Sequence, residues 1–295
     1  MTTKTQRSKT ADAKAENKEI AAKQQQDLEQ TETISSAMFE EDAGAGQEEA
    51  DRSSYAIPFI SILQALSPAV GEDGIEGAKP GLLMDTVTNE MSKTLRIIPC
   101  AFQRRFLRWA PNRGGYRGEY MPLEVETGTC SGLSRHGNSY LMDVPTGVEK
   151  VFDDQGRALY DELSDTRNHF VLYESASGTW KPAIISLSST QIKRSKRLMA
   201  IINQIELIGA KGKKFNPPSF SHIYELTTEK ETNQKGSWYA ASFKLESQLT
   251  DIELYAKAKA FHQSVMSGSV ETAPPVQDSF TDPNNIDPET GEVKF

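Results

Sequence analysis

Large apolar residues are almost missing from both ends of this 295-residue chain, and that absence limits what it can fold. Residues 1–54 are built from Lys, Glu, Gln, Ala and Ser, and the last stretch reads ETAPPVQDSFTDPNNIDPETGEVKF. Such segments bury too little apolar surface to offset the entropy of ordering them. The sequence therefore predicts a disordered acidic region over 1–54, one β-rich core over 55–266, and a disordered acidic tail over 267–295. A fraying helix over Ala11–Glu32 fits the local Ala, Lys, Glu and Gln content. Charge divides the same way. Residues 1–54 hold 7 Lys/Arg against 12 Asp/Glu, and 267–295 hold one Lys against six acids, so each end is −5 in a chain of −8. The core is left at +2.

Within the core, short apolar runs alternate with turn signals. Tyr55–Val70 carries Ile57, Phe59, Ile60, Ile62, Leu63 and Leu66, and Pro58 and Pro68 argue for an extended arm that ends in a turn. LLMDTVT reads as a strand that turns at Asn89. Leu95–Phe102 reads as a strand with Pro99 at an edge or bulge. Residues 121–168 are rich in turn signals and predict a meander or insertion. His169–Glu174 and Trp180–Leu187 form a hairpin, and Phe220–Thr227 with Ser237–Glu246 form another through Asn233–Gly236. Two helices come late. One is capped by Ser188 or Ser189, with Ile192, Leu198, Met199, Ile202 and Ile205 on one face and Gly209 as its stop. The other starts at Thr250 with Glu253 completing a capping box, and Ile252, Tyr255, Ala258, Phe261 and Val265 line it. Strands followed by late helices predict a mostly β or α+β domain rather than a βαβ repeat.

Catalytic signatures are missing. The sequence has no GxxxxGK[ST], no GxGxxG at a strand–helix junction and no GxSxG elbow. Cys130 and His136 have no second pair of ligands, and His169, His222 and His262 are dispersed, so neither a metal site nor a cofactor is predicted. The acidic clusters fall in the ends, where nothing fixes their geometry. Two cysteines suit a reducing cytoplasm, no run approaches a membrane span, and the N-terminus lacks the apolar stretch of a secretory signal. The expectation is a cytoplasmic, non-enzymatic binding protein.

Two segments carry the core's positive charge. In Leu95–Tyr120, six arginines face one acid, Glu119, and alternate with aromatics. Guanidinium groups pair with phosphate, aromatic faces stack on bases, and Gly114, Gly115 and Gly118 allow close approach. Phosphate contacts are expected from Arg104, Arg105, Arg108, Arg113 and Arg117, with stacking by Phe106, Trp109 and Tyr116. The late helix adds Lys193, Arg194, Lys196 and Arg197, and Lys211, Lys213 and Lys214 follow it. The competing account of the first segment is a basic, solvated hairpin, and of the second an ordinary solvated helix face.

The succession YAIPFISILQALSPAV, GAKPGLLMDTVTNE, LRIIPCAFQRRFLRWAPNRGGYRGEY and YELTTEKETNQKGSWY resembles a group of tailed-phage proteins encoded among replication genes and described as single-stranded DNA-binding proteins. The resemblance covers most of 55–266. It implies an OB-like β-barrel core with insertions and a role in coating single-stranded DNA during phage replication or recombination. The acidic tail ending in Phe295 is similar to the tails with which single-strand binding proteins dock on replication proteins, although Lys294 departs from that pattern. A homo-oligomer is compatible with these readings. The alternatives are a recombination annealase that pairs complementary strands, and a virion or scaffold protein whose arginines serve a protein partner.

Overall fold

A computed structural model describes residues 36–49, 56–126, 134–136, 139–234, 236–268 and 270, in two compact units, 1–51 and 52–295. In the first unit a short helix, α1 (Ser36–Glu41), is described, and its Phe39 is exposed. The expected helix over Ala11–Glu32 and the tail from 271 onward lie outside the described residues.

The second unit is mostly β. Its backbone is a pair of long antiparallel strands, β4 (Leu95–Trp109) and β8 (Asp161–Glu174), in register from Ile97↔Tyr173 to Trp109↔Glu162. Each of the two is long enough to take different partners at its two ends. At one end β12 (His222–Asn233) pairs with β4, β13 (Gly236–Gln248) pairs with β12, and β9 (Trp180–Ser188) pairs with β8. At the other, β5 (Tyr116–Tyr120) pairs with β4, and β7 (Ser139–Met142) pairs with β8 and carries β6 (Ser134–His136). Pro99 lies within β4, and the register slips between Pro99 and Ala101, so the bulge expected there is present in a central strand.

The sheet is open: among the described residues no backbone pairing joins β9 to β13. A small sheet of β1 (Ile60–Ile62), β2 (Leu83–Asp85) and β3 (Met91–Ser92) fills that gap, with β1 touching both β9 and β13. An extended arm leads into it, with Phe59 bridging in parallel to Ile184. Two side-chain amides complete the closure. Gln64 donates to the Tyr239 carbonyl at 2.9 Å and accepts from its N–H at 2.8 Å, while Gln191 donates to the same carbonyl at 2.9 Å and accepts from Ala241 N–H at 3.0 Å. The free edge of β13 is thus paired by glutamines where a strand would otherwise sit. This curl is compatible with the OB-like expectation, without the backbone closure of a true barrel.

Inside the curl lie Ile97, Val171, Tyr173, Ile185, Tyr224 and Leu226, covered by α3 (Ile192–Asn203) through Leu198. Each such side chain contributes about 1.5–3 kcal/mol by leaving water. The opposite face packs Ile98, Cys100, Phe170 and Ile184 under α4 (Ile252–Met266). At the β5 and β7 end a smaller core of Phe106, Val125, Met142 and Leu163 lies beside α2 (Pro122–Glu126).

Three local expectations are corrected. α3 is preceded by a 3₁₀ turn (Ser189–Gln191) with no side-chain cap, because Ser189 takes the left-handed conformation there (φ 49°). α3 also ends at Asn203, six residues before Gly209. The cap of α4 is Asp251, whose Oδ1 accepts from Glu253 and Leu254 N–H, so Leu254, Ala258 and Val265 face inward and Ile252 is 83% exposed.

Candidate nucleic-acid interface

The arginine–aromatic stretch does not end as a strand at Phe102; it continues as strand to Trp109, and alternation sends its side chains into two different environments. Arg104 makes a two-pronged pair with Asp165, Nε–Oδ1 3.0 Å and Nη2–Oδ2 2.8 Å, with Glu126 at 3.4 Å. The Asp165 hydrogen bond raises the Arg104 pKa above its ordinary value. Arg105 reaches Glu119 at 3.3 Å and the Arg104 carbonyl at 3.0 Å. Arg108 is buried. Its Nε donates to Asp161 at 2.6 Å, its Nη1 to the Tyr120 hydroxyl at 3.1 Å and its Nη2 to the Asp143 carbonyl at 2.7 Å. Arg117 binds the other oxygen of Asp161 at 2.5 Å, and that carboxylate is fully buried. A phosphate approaching these four arginines would have to displace an existing carboxylate.

The aromatics divide as well. Phe106 is 1% exposed and sits in the core, so it offers no ring face to a base. Trp109 is 8% exposed and meets Tyr116 edge-on at 5.9 Å, and Tyr116 keeps 39% of its surface in solvent. The backbone of Arg113 lies in a 3₁₀ turn, Pro111–Arg113. Arg104, Arg108 and Arg117 therefore form ion pairs with the buried carboxylates of β8 on one face, Arg105 pairs nearer the surface with Glu119 on the other, and Tyr116 emerges into solvent.

The second predicted segment is more open. Lys193 pairs with Glu231 at 2.7 Å, and Arg194 pairs with Glu231 and, at 3.1 Å, with Glu229, tying α3 to the β12–β13 hairpin. Burial pushes the Glu231 carboxyl up, but Lys193 and Arg194 more than offset it and hold it below its ordinary value. Lys196 and Arg197 are exposed and hold no ion pair among the described residues.

Beyond α3 lies a feature the sequence reading missed. β10 (Leu207–Ile208) and β11 (Lys214–Phe215) form a two-residue antiparallel finger, closed by Gly209 N–H to the Lys213 carbonyl at 2.9 Å. Gly212 supplies the left-handed turn at φ 71°. Asn216 donates to the carbonyls of Asn203 and Ile205 at 2.9 and 3.1 Å, fastening the finger to the end of α3. Ile208 is 73% and Phe215 47% exposed. Between them Lys211 and Lys213 have no acidic partner among the described residues, while Lys214 reaches Glu206 at 2.8 Å. The signal was present as IGAKGKKF, lysines and glycines bracketed by apolar residues, but the helical pattern upstream masked it.

Among the described residues no group of His, Cys, Asp and Glu could hold a metal, and no helix is long and apolar enough to cross a membrane. Cys100 is buried and its thiol is pushed up to about 12. His169 is buried against Ser195 Oγ at 2.8 Å, and burial, with Arg167 nearby, lowers its pKa to about 4. Cys130 and the tail ending in Phe295 lie outside the described residues.

No curated protein and no solved structure matches this chain. One family does, over residues 9–271, and the chain accordingly belongs to the phage family described as Pam3 phage gp34-like protein.

Proposed function

We propose that this protein binds single-stranded DNA without sequence preference, in the host cytoplasm, during phage replication or recombination. The observation that carries the reading is the run of exposed cations along α3 and its finger, Lys196, Arg197, Lys211 and Lys213, which hold no salt bridge among the described residues, beside the exposed ring of Phe215. A flexible strand presents phosphates to such a ridge and bases to an aromatic, the combination used by sequence-tolerant single-strand binders. Lysine is suited to this task, because a point charge accepts a phosphate in many orientations. The arginine stretch then serves chiefly as scaffold, with Tyr116 as a second stacking surface.

The test is titration of a labelled oligonucleotide at rising salt. Affinity should fall steeply for single strand and be weaker for duplex. Replacing Lys196, Arg197, Lys211 and Lys213 with Ala should flatten the salt slope by about 3 units, near 0.7 per lost phosphate contact. Phe215→Ala should weaken binding with the slope unchanged. An unchanged slope in the fourfold variant, or equal affinity for duplex, sinks the reading.

A further inference from the structure

A cleft of about 550 Å³ opens between the β1 arm, the outer edge of β9 and the β4–β8 surface, on the side of the sheet away from the ion-pair lattice. Its size falls within the range of about 300–1,000 Å³ common for small-ligand sites. Its chemistry is unusual for a protein carrying this much charge. Among the described residues, the exposed Asp73 is the one ionisable side chain lining it. Leu107 and Trp109 contribute apolar surface, while Ser61, Ser164, Ser188 and Thr190 bring hydroxyls that make no hydrogen bond among the described residues. The outer edge of β9 adds main-chain groups. Ile184 N–H points outward to the Pro58 carbonyl, so by the period of two the N–H and C=O of Ser186 and Ser188 point outward too, into the cleft where the arm has left the strand.

An anion would enter this cleft with no cation to meet it, and a purely apolar ligand would leave four hydroxyls and a strand edge unsatisfied. The matching ligand is a neutral ring with donors and acceptors on its edge. Hydroxyls both donate and accept, so they tolerate different edge patterns. Immediately outside, Arg105 lies two residues before Leu107 and opposite Thr166, hence on the same face at the cleft rim, where its pair with Glu119 is a long 3.3 Å. Tyr116, edge-on to Trp109, continues the aromatic surface from the floor out to solvent.

We propose that this cleft is a nucleoside site, taking one base of a bound strand out of solvent while its phosphate stays outside near Arg105. The proposal rests on the single-strand reading above. Saturation-transfer NMR on the full chain with thymidine and with adenosine, neither carrying a phosphate, tests it. Both should receive saturation, most strongly at their base protons. Ser164→Ala/Ser188→Ala should weaken them about tenfold, the worth of two modest hydrogen bonds, with the thermal midpoint unchanged. Ser188→Phe, which fills the cleft from β9, should abolish the signal. The proposal is overturned if folded wild-type protein shows no transfer, if both variants leave transfer intact, or if an end-blocked Ser-Val-Ser-Val peptide binds there in preference by extending β9. An oligo-dT titration on the same samples separates the two readings. Salt-dependent oligo-dT binding without nucleoside transfer removes the cleft alone, whereas nucleoside transfer without oligo-dT binding keeps the cleft and removes the coating function.

Discussion

Replacing Asp161 with Asn isolates the claim that the arginine stretch is scaffold. The wild-type carboxylate is fully buried and holds two guanidinium groups, Arg108 at 2.6 Å and Arg117 at 2.5 Å. Arg108 is itself only 9% exposed at its side chain, so it cannot swing out to water when its partner disappears. Removing one member of a buried pair costs about 3–5 kcal/mol, because the remaining charge stays desolvated. Asn keeps one acceptor oxygen, which places this variant near the lower end, about 3 kcal/mol. That is a large share of a typical total of 5–15 kcal/mol. With a urea slope of about 1–3 kcal/mol per molar, the midpoint should fall by about 1–3 M. Arg117→Met should cost less, since its side chain is 22% exposed and Asp161 keeps Arg108. The matched Arg108→Met/Arg117→Met/Asp161→Leu replacement should recover much of the loss by removing all three charges together. A midpoint that Asp161→Asn leaves unmoved would refute the reasoning. So would an Arg108→Met variant of unchanged stability that no longer binds oligonucleotide, for Arg108 would then be meeting phosphate.

Other consequences follow from the buried groups. His169 has its pKa lowered to about 4, so the unfolded chain takes up a proton below pH 6.5 that the folded one refuses. Stability should therefore drop by about 2 kcal/mol between pH 7 and pH 5 and level off below pH 4, a dependence that His169→Phe removes in urea melts at the two pH values. Cys100, its thiol pushed up to about 12 by burial, should resist thiol reagents in the native state, and labelling localised to it in a peptide map would contradict that environment. Gln64→Ala/Gln191→Ala strips the outer edge of β13 at Tyr239 and Ala241, and should cost about 2 kcal/mol and raise self-association in light scattering, whereas an unchanged scattering mass would show the edge is protected otherwise.

The mostly β architecture, both hairpins and both late helices are legible in the sequence because each carries an apolar period and a turn. What misleads is β8. DELSDTRN, residues 161–168, falls in the stretch expected to be a meander or insertion, yet it is part of one continuous long strand, with Asp161 and Asp165 buried against arginines of β4. Two facing strands whose inward positions are charged satisfy each other without any apolar alternation, so periodicity cannot find them. Arg104, Arg108 and Arg117 look available for the same reason: their acids stand 61, 53 and 44 residues away along the chain and become neighbours only once β8 is paired beside β4. The β10–β11 finger fails differently, since two residues per strand are too few for a period to show.

The way the core distributes its cations makes chemical sense of this. A guanidinium presents a planar fork that can satisfy a carboxylate from two directions while buried, and Arg104 and Arg108 use that geometry to fasten β4 to β8. An ammonium cannot do this as well and is costlier to desolvate, so the lysines stay outside, on α3 and the finger. Counting positive charge along the sequence weights the two populations equally and so points to the arginine run, where the charge is densest. Weighting by partners reverses the order, because each of the five arginines there whose side chain is described already holds a carboxylate, whereas Lys196, Lys211 and Lys213 hold none among the described residues. A phosphate responds to free charge rather than to charge density, and α3 with its finger groups such free charge in the second of the two basic segments.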